Sequence, residues 1–218
     1  MALLFAVGSA CFLIGPFSGY IDLVGPEADA VTFFVGSLFF TGGGALQTWL
    51  AVGERGAALW AAAVQSAGTV FFNFTTFRAL DTALSNPDYN ALVWRPDALG
   101  SVCFLVSGVI GYAAARHGWQ PLVNLLGCVF FGIAAVAGYV VPASGSMLDL
   151  AWANWNTSLG AACFLACAVS GLRSRGEPDD ALDRQVQPER AEQRHDQALL
   201  VAPGPGGQPI EERGRRGG

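Results

Sequence analysis

The sequence contains no lysine and only two histidines, and charged residues make up 13% of it, against about 25% in an average soluble domain. The shortage is confined to one part of the chain. Residues 1–173 hold five Arg and eight acids, whereas residues 174–218 hold seven Arg and nine acids. With so few charges, almost every helix of the first part would be apolar on all sides, which excludes a water-soluble fold. The net charge of −5 argues against nucleic acid as a partner.

The sequence also lacks the residue patterns of common catalytic and metal sites. It has no phosphate-binding loop, zinc-protease helix or nucleophile elbow. The two histidines, His117 and His195, form no haem pair and no cluster with cysteines or carboxylates. The five cysteines, an odd number in apolar stretches, are typical of packing residues and not of a disulfide framework. We therefore predict no enzyme, no cofactor, and no catalytic, cofactor-binding or metal-ligating residue.

What the sequence does have is six apolar stretches, each of about the length that crosses 30 Å of hydrocarbon. We expect helices there because backbone groups in lipid must be paired internally. All six Trp fall near the ends of these stretches, where amphipathic rings lie at headgroup depth. The predicted fold is an all-α, polytopic membrane helix bundle with six transmembrane helices, at Met1–Leu23, Val31–Val52, Ala57–Leu80, Asp97–Ala115, Trp119–Val141 and Leu148–Leu172.

Each apolar stretch contains a Gly that is followed four residues later by a Phe. Residues at this spacing lie on one face of a helix, so each helix presents a notch one turn from a large ring. Small residues at helix interfaces are the packing device of membrane bundles. The pattern predicts three repeated helical hairpins, and the alternative is that it follows from composition alone. The candidate helix-packing residues are Gly8, Gly36, Gly68, Gly100, Gly127 and Gly160, with their partners Phe12, Phe40, Phe72, Phe104, Phe131 and Phe164.

Four segments carry a resemblance to a known family: FFVGSLFFTGGGALQT (33–48), WRPDALGSVCFLVSG (94–108), NLLGCVFFGIAAVAGYVVP (124–142) and WNTSLGAACFLACAV (155–169). They resemble the YrhK-like domain proteins, bacterial integral membrane proteins with longer multi-helix members in actinobacteria. The absence of Lys beside abundant Ala, Gly and Arg is typical of GC-rich coding and fits such a source. The resemblance implies a membrane protein with no assigned activity and no catalytic residues.

The distribution of charge predicts the domain organisation and the orientation. Residues 1–173 form the predicted six-helix transmembrane domain, and residues 174–218 have too little apolar surface to fold alone. Arg55, Arg116 and Arg173 all fall on one side of a six-helix arrangement. Since basic residues favour the cytoplasmic side, we predict a multi-pass protein of the cell membrane with both termini, including a disordered tail, in the cytoplasm.

A few polar residues lie in or beside the predicted helices. Asn73, Thr76 and Arg78 form a candidate polar pocket, although hydrogen bonds between helices and a snorkelling Arg are the favoured interpretation. Asp97 follows Pro96, so we predict that it caps a helix after a loop over residues 81–96. Asp149 is predicted to cap the last helix in the same way.

Two hypotheses for the function follow. The favoured one is a non-catalytic integral membrane protein with a structural or helix-mediated interaction role, whose partners are the lipid bilayer and a second copy or other membrane helices. The alternative is a small-solute transporter or channel. Against the alternative stands the expectation that no charge lies at mid-membrane depth. A polar cavity running from one face toward the midplane would favour transport.

Overall fold

The structure, a computed structural model, describes residues 1–54, 56–115 and 118–173, which belong to one compact unit, Met1–Arg173. The predicted tail, with Arg55 and Arg116, lies outside the described residues. The helices are α1 (Ala2–Ile14), α2 (Ser18–Val24), α3 (Pro26–Ala51), α4 (Ala57–Arg78), α5 (Asn86–Tyr89), α6 (Arg95–Ala115), α7 (Trp119–Ala137) and α8 (Leu150–Arg173), with a π-helical turn at Asn90–Trp94. Within the described part of the chain, five helical segments are long and apolar enough to cross a membrane, or six if α1 and α2 count as one broken span. The prediction of an all-α membrane helix bundle is confirmed.

The first predicted span is not one straight helix, and this expectation was wrong. α1 ends at Ile14, and α2 leaves it at an angle of 92°. Pro16 explains the break, because it has no N–H to donate and its ring clashes with the carbonyl of Phe12, four residues earlier. α1 alone, at 13 residues, is about 20 Å long.

The loop predicted over residues 81–96 is largely helical. Asn86–Ala115 run as one helix of 30 residues that contains the π-helical turn. Pro96 cannot donate to the carbonyl of Leu92, and the wider turn just before it accommodates the missing bond. Thr75 of α4 donates its hydroxyl to the nearby Val93 carbonyl at 3.1 Å. The helix passes straight through Asp97, so the prediction that Asp97 caps a helix was wrong.

The predicted fifth span, Trp119–Val141, ends earlier than expected. α7 stops at Ala137, and the chain forms a short antiparallel hairpin of β1 (Val140–Val141) and β2 (Ser146–Met147). Asn90 fixes this hairpin by donating to the Val140 carbonyl at 2.6 Å and accepting from its N–H at 3.1 Å. Asp149 then caps α8, as predicted, by accepting a hydrogen bond from the Trp152 N–H at 3.0 Å.

The six long elements form a closed ring in the order α1, α3, α4, α6, α7, α8. Hydrogen bonds tie α3 to α4 (Ser37 to Thr76, 2.8 Å) and α6 to α7 (Ser101 to the Phe131 carbonyl, 3.3 Å). The ring closes between the last and first elements, where the Ser158 hydroxyl donates to the Leu13 carbonyl at 3.2 Å. Each helix therefore has two neighbours and one face toward the ring axis.

Within this ring the repeat glycines contact the repeat phenylalanines reciprocally, in pairs of neighbouring helices. A Cβ placed on Gly68 would lie 2.7 Å from the Phe104 ring, and one on Gly100 would lie 3.1 Å from the Phe72 ring. The same exchange joins α1 with α3 (Gly8 to Phe40, Gly36 to Phe12) and α7 with α8 (Gly127 to Phe164, Gly160 to Phe131). Three helix pairs thus share one packing arrangement, and their origin from a repeated hairpin stays a prediction.

The six phenylalanines meet on the ring axis and form what we call the phenylalanine plug (Phe12, Phe40, Phe72, Phe104, Phe131 and Phe164), each 5% exposed or less. The plug has two layers. In one layer the rings of Phe12, Phe72 and Phe131 are 5.8 to 6.5 Å apart between centroids. In the other layer the Phe164 ring lies 6.1 Å from Phe40 and 5.7 Å from Phe104. Alternate helices supply each layer.

Candidate functional site

Two cavities lie on the ring axis, one on each side of the phenylalanine plug. The first, of about 210 Å³, is lined on its floor by Phe12, Phe72 and Phe131, and we call it the Asp97 cavity. The second, of about 370 Å³, touches Phe40 and Phe164, and we call it the Gln65 cavity. Residues from all six ring helices line each cavity. Both cavities are therefore axial, and the plug separates them.

One position of the repeat supplies the cavity walls. The residue three before each repeat glycine lies on the same helix face as that glycine. On alternate helices these residues line opposite cavities. The Asp97 cavity receives Phe33, Asp97 and Thr157, and the Gln65 cavity receives Phe5, Gln65 and Asn124. The helix face that carries each repeat glycine therefore also carries a side chain that lines one of the two axial cavities.

Asp97 gives the first cavity its charge. It is half-buried, and it is the one charged side chain among the described residues that line this cavity. No described residue forms a hydrogen bond or an ion pair with its carboxylate. Along the helix Asp97 lies seven residues, or about 10 Å, from Phe104 of the plug, which places it within the hydrocarbon thickness if the plug is near the midplane. A carboxylate at this depth marks a functional site by default.

The threonine hydroxyls beside Asp97 mainly offer acceptors to the cavity, while the Tyr89 hydroxyl and the Asn154 amide add donors. Thr75 donates to the Val93 carbonyl, Thr76 to the Phe72 carbonyl at 2.8 Å, and Thr157 to the Ala153 carbonyl at 2.9 Å. Since each hydroxyl has a single proton, Thr75 and Thr157 have lone pairs left for the cavity, whereas the Thr76 oxygen is also hydrogen-bonded to Ser37. Together with Asp97, these oxygens make the cavity rich in hydrogen-bond acceptors.

The Gln65 cavity is polar but carries no charged side chain among its described lining residues. Gln65 accepts a hydrogen bond from the Ser107 hydroxyl at 3.4 Å, and Gln120 donates to Ser170 at 2.7 Å. Gln47 and Asn124 also line the cavity. This side of the plug therefore presents amide groups, which can act as donors or acceptors.

The structure does not bring the three residues of the predicted polar pocket together. Thr76 lines the Asp97 cavity, whereas Asn73 faces α3 and donates to the Thr41 hydroxyl at 2.8 Å. Arg78 is half-buried at the end of α4, with a buried Nε that has no hydrogen-bond partner among the described residues. Neither Asn73 nor Arg78 lines either axial cavity. The hydrogen bond of Asn73 to α3 is of the interhelical kind that the sequence favoured over the candidate pocket.

Sequence reasoning missed Asp97 as a cavity residue because Pro96 suggested a helix start. A usable signal was nevertheless present. Asp97, Gly100 and Phe104 are spaced at i, i+3 and i+7, which places them on one helix face. Trp94 lies near the end of α7, where it is half-buried and donates its indole N–H to the Ala135 carbonyl at 2.8 Å.

Comparison of the chain with protein-family models, with curated proteins and with solved structures finds no match.

Proposed function

We propose that this protein provides a path for a small solute through a membrane, with the phenylalanine plug as its closed gate. The single observation that supports the proposal is the pair of axial cavities, each lined by all six ring helices, on opposite sides of the plug. A bundle whose role is only to pack has no need of polar side chains on its axis. Here they lie on both sides of the plug, and one of them is ionisable.

The plug has the properties of a hydrophobic gate. Its rings are in mutual contact, with centroids 4.9 Å apart for Phe72 and Phe104 and 5.4 Å apart for Phe131 and Phe164. Apolar constrictions of this kind stop polar solutes because water leaves them, without any charged barrier.

The sequence favoured a structural or interaction role, and one observation supports that alternative. The plug closes the axis completely with aromatic packing, as in the core of a bundle that only needs to be stable. The two hypotheses differ in what the plug does when it is weakened. In the structural role its loss lowers stability alone, and in the transport role its loss also opens a path.

The test compares two phenylalanines of the same helix. Phe72 of α4 belongs to the plug and is 4% exposed, whereas Phe74 of α4 is 49% exposed on the outer surface of the ring. We expect vesicles containing Phe72→Ala protein to take up glycerol and K⁺ faster than vesicles with the unchanged protein. Phe74→Ala should leave both rates unchanged. Light scattering reports glycerol entry, and a fluorescent indicator reports K⁺.

The transport proposal fails if Phe72→Ala protein elutes as a folded species and conducts no more than Phe74→Ala. Removal of a buried ring costs about 3–5 kcal/mol, so the folded state must be checked by size exclusion. Phe72→Leu, which shortens the side chain less, is the second variant if Phe72→Ala does not fold. It should raise the same rates by a smaller amount.

The same proposal includes the other properties expected from the sequence. We infer a non-catalytic protein that works in the lipid bilayer, alone or as a homo-oligomer, within a YrhK-like family. We place it in the cell membrane with both termini in the cytoplasm, so that Met1, which lines the Gln65 cavity, marks that cavity's side as cytoplasmic. The Asp97 cavity then faces outward.

A further inference from the structure

We infer that the Asp97 cavity binds a small organic ammonium ion, with Asp97 as its counter-charge. This inference rests on the proposed function and deepens it by naming the class of solute. The charge of the cavity indicates that its ligand is positively charged. Among the described residues that line the cavity there is one carboxylate and no basic side chain. An anion would be repelled by that carboxylate and would meet only the neutral donors of Tyr89 and Asn154, whereas a cation would neutralise it.

The hydrogen-bonding capacity of the walls gives the same answer. Thr75 and Thr157 have committed their protons to backbone carbonyls, so their oxygens face a ligand as acceptors. A protonated amine carries three N–H donors and no acceptor, which complements a carboxylate surrounded by hydroxyl oxygens. Asn154, which has no hydrogen bond to a described residue through its side chain, offers a further amide oxygen.

The aromatic walls distinguish an organic ammonium from a metal cation. Six aromatic residues line the cavity: Phe12, Phe33, Phe72, Tyr89, Trp94 and Phe131. Ring faces attract ammonium groups and also contact the attached carbon atoms. A bare Na⁺ or K⁺ would instead lose most of its hydration to a wall that is largely carbon.

The volume limits the size of the ion. At about 210 Å³, the cavity is smaller than the roughly 300–1,000 Å³ typical of sites for drug-sized ligands. The plug closes its floor, and the hairpin residue Met147 lies on its wall. A primary amine with a short carbon chain therefore fits entirely within the cavity.

The test measures binding in detergent, where no flux is required. The probe is ethylammonium chloride, compared with NaCl at equal ionic strength and with ethanol, a neutral molecule of similar size. We expect saturable binding of ethylammonium by calorimetry and a higher melting temperature, with neither effect from NaCl or ethanol. Asp97→Asn should lower the affinity at least about tenfold. Asp22→Asn, which removes an exposed carboxylate on α2, should leave it unchanged.

Phe33→Leu supplies a second variant that keeps the charge. Loss of one ring face should weaken ethylammonium binding several-fold, and this variant decides the matter if Asp97→Asn does not fold. The inference is overturned if Na⁺ binds as well as ethylammonium, if the folded Asp97→Asn protein binds equally well, or if the unchanged protein shows no saturable binding. If ethylammonium binds but no flux is seen in vesicles, the binding site is supported and the transport proposal fails. If glycerol flux is seen but ethylammonium does not bind, the transport proposal is supported and the binding site is rejected.

Discussion

At the scale of single residues, Gly160 illustrates how the repeat glycines pack against the phenylalanine plug. A Cβ added to Gly160 would lie 2.6 Å from the Phe131 ring and 3.0 Å from the Gly127 carbonyl oxygen. Real Cβ atoms do not approach other atoms so closely, and a backbone oxygen cannot rotate away. The space beside Gly160 is thus already filled by a plug residue of the neighbouring helix.

Gly160→Ala should therefore destabilise the protein, while Gly171→Ala on the same helix should not. Overpacking costs about 1–3 kcal/mol, and the better helix propensity of Ala returns up to about 1 kcal/mol. At Gly171 the added Cβ would meet only the Ala2 Cβ at 3.7 Å, an ordinary contact, so the propensity gain remains. Thermal melts of both purified variants decide the matter. Equal melting temperatures would mean that the repeat glycines have no packing role.

At the scale of elements, the sequence predicted the long apolar helices well and their irregular ends poorly. Composition and length were enough to place α3, α4, α6, α7 and α8. Each is an apolar run long enough to cross a bilayer, where only a helix pairs all of its own backbone groups. The sequence expectations for Pro16 and Pro96 were both wrong. Pro16 breaks its helix, whereas Pro96 lies inside a continuous one.

The difference between the two prolines depends on distant residues. Around Pro96, the Thr75 hydroxyl of α4 donates to the Val93 carbonyl and so satisfies a backbone group of the π-helical turn. The side-chain amide of Asn90, in the same turn, pairs with the backbone of Val140 in the hairpin and holds the turn there. Such partners are far away in the sequence, so local reasoning could not foresee that the helix would continue. The axial cavities were hidden for the same reason, because they exist only where six helices meet.

The closure of the ring between its first and last helices is directly testable by a disulfide. The 3.7 Å distance between the Ala2 Cβ and a Cβ built on Gly171 lies within the range of natural disulfides. Ala2→Cys combined with Gly171→Cys should cross-link under mild oxidation, in a background whose five native cysteines are replaced by Ala. A peptide map should show the linked ends. Leu3→Cys, at a residue that is 63% exposed, combined with Gly171→Cys is the matched pair that should stay reduced.

At the scale of the whole molecule, one arrangement underlies the proposed function: two axial cavities lie on opposite sides of the phenylalanine plug. The packing repeat and the cavity walls come from the same helix faces, since the residue three before each glycine lines a cavity. Sequence periodicity could have revealed those faces, and Asp97 with them. It could not have revealed that these faces meet around one axis, because that depends on how the six helices pack.

Side-specific thiol labelling tests this arrangement most directly. Asn154→Cys places a thiol in the Asp97 cavity, and Asn124→Cys places one in the Gln65 cavity, each in a background without the native cysteines. A charged, membrane-impermeant maleimide should modify Asn154→Cys only from the outside of intact cells and Asn124→Cys only from the cytoplasmic side, in inside-out vesicles. Modification of both positions from the same side, or of either position from both sides, would contradict two axial cavities separated by a closed plug.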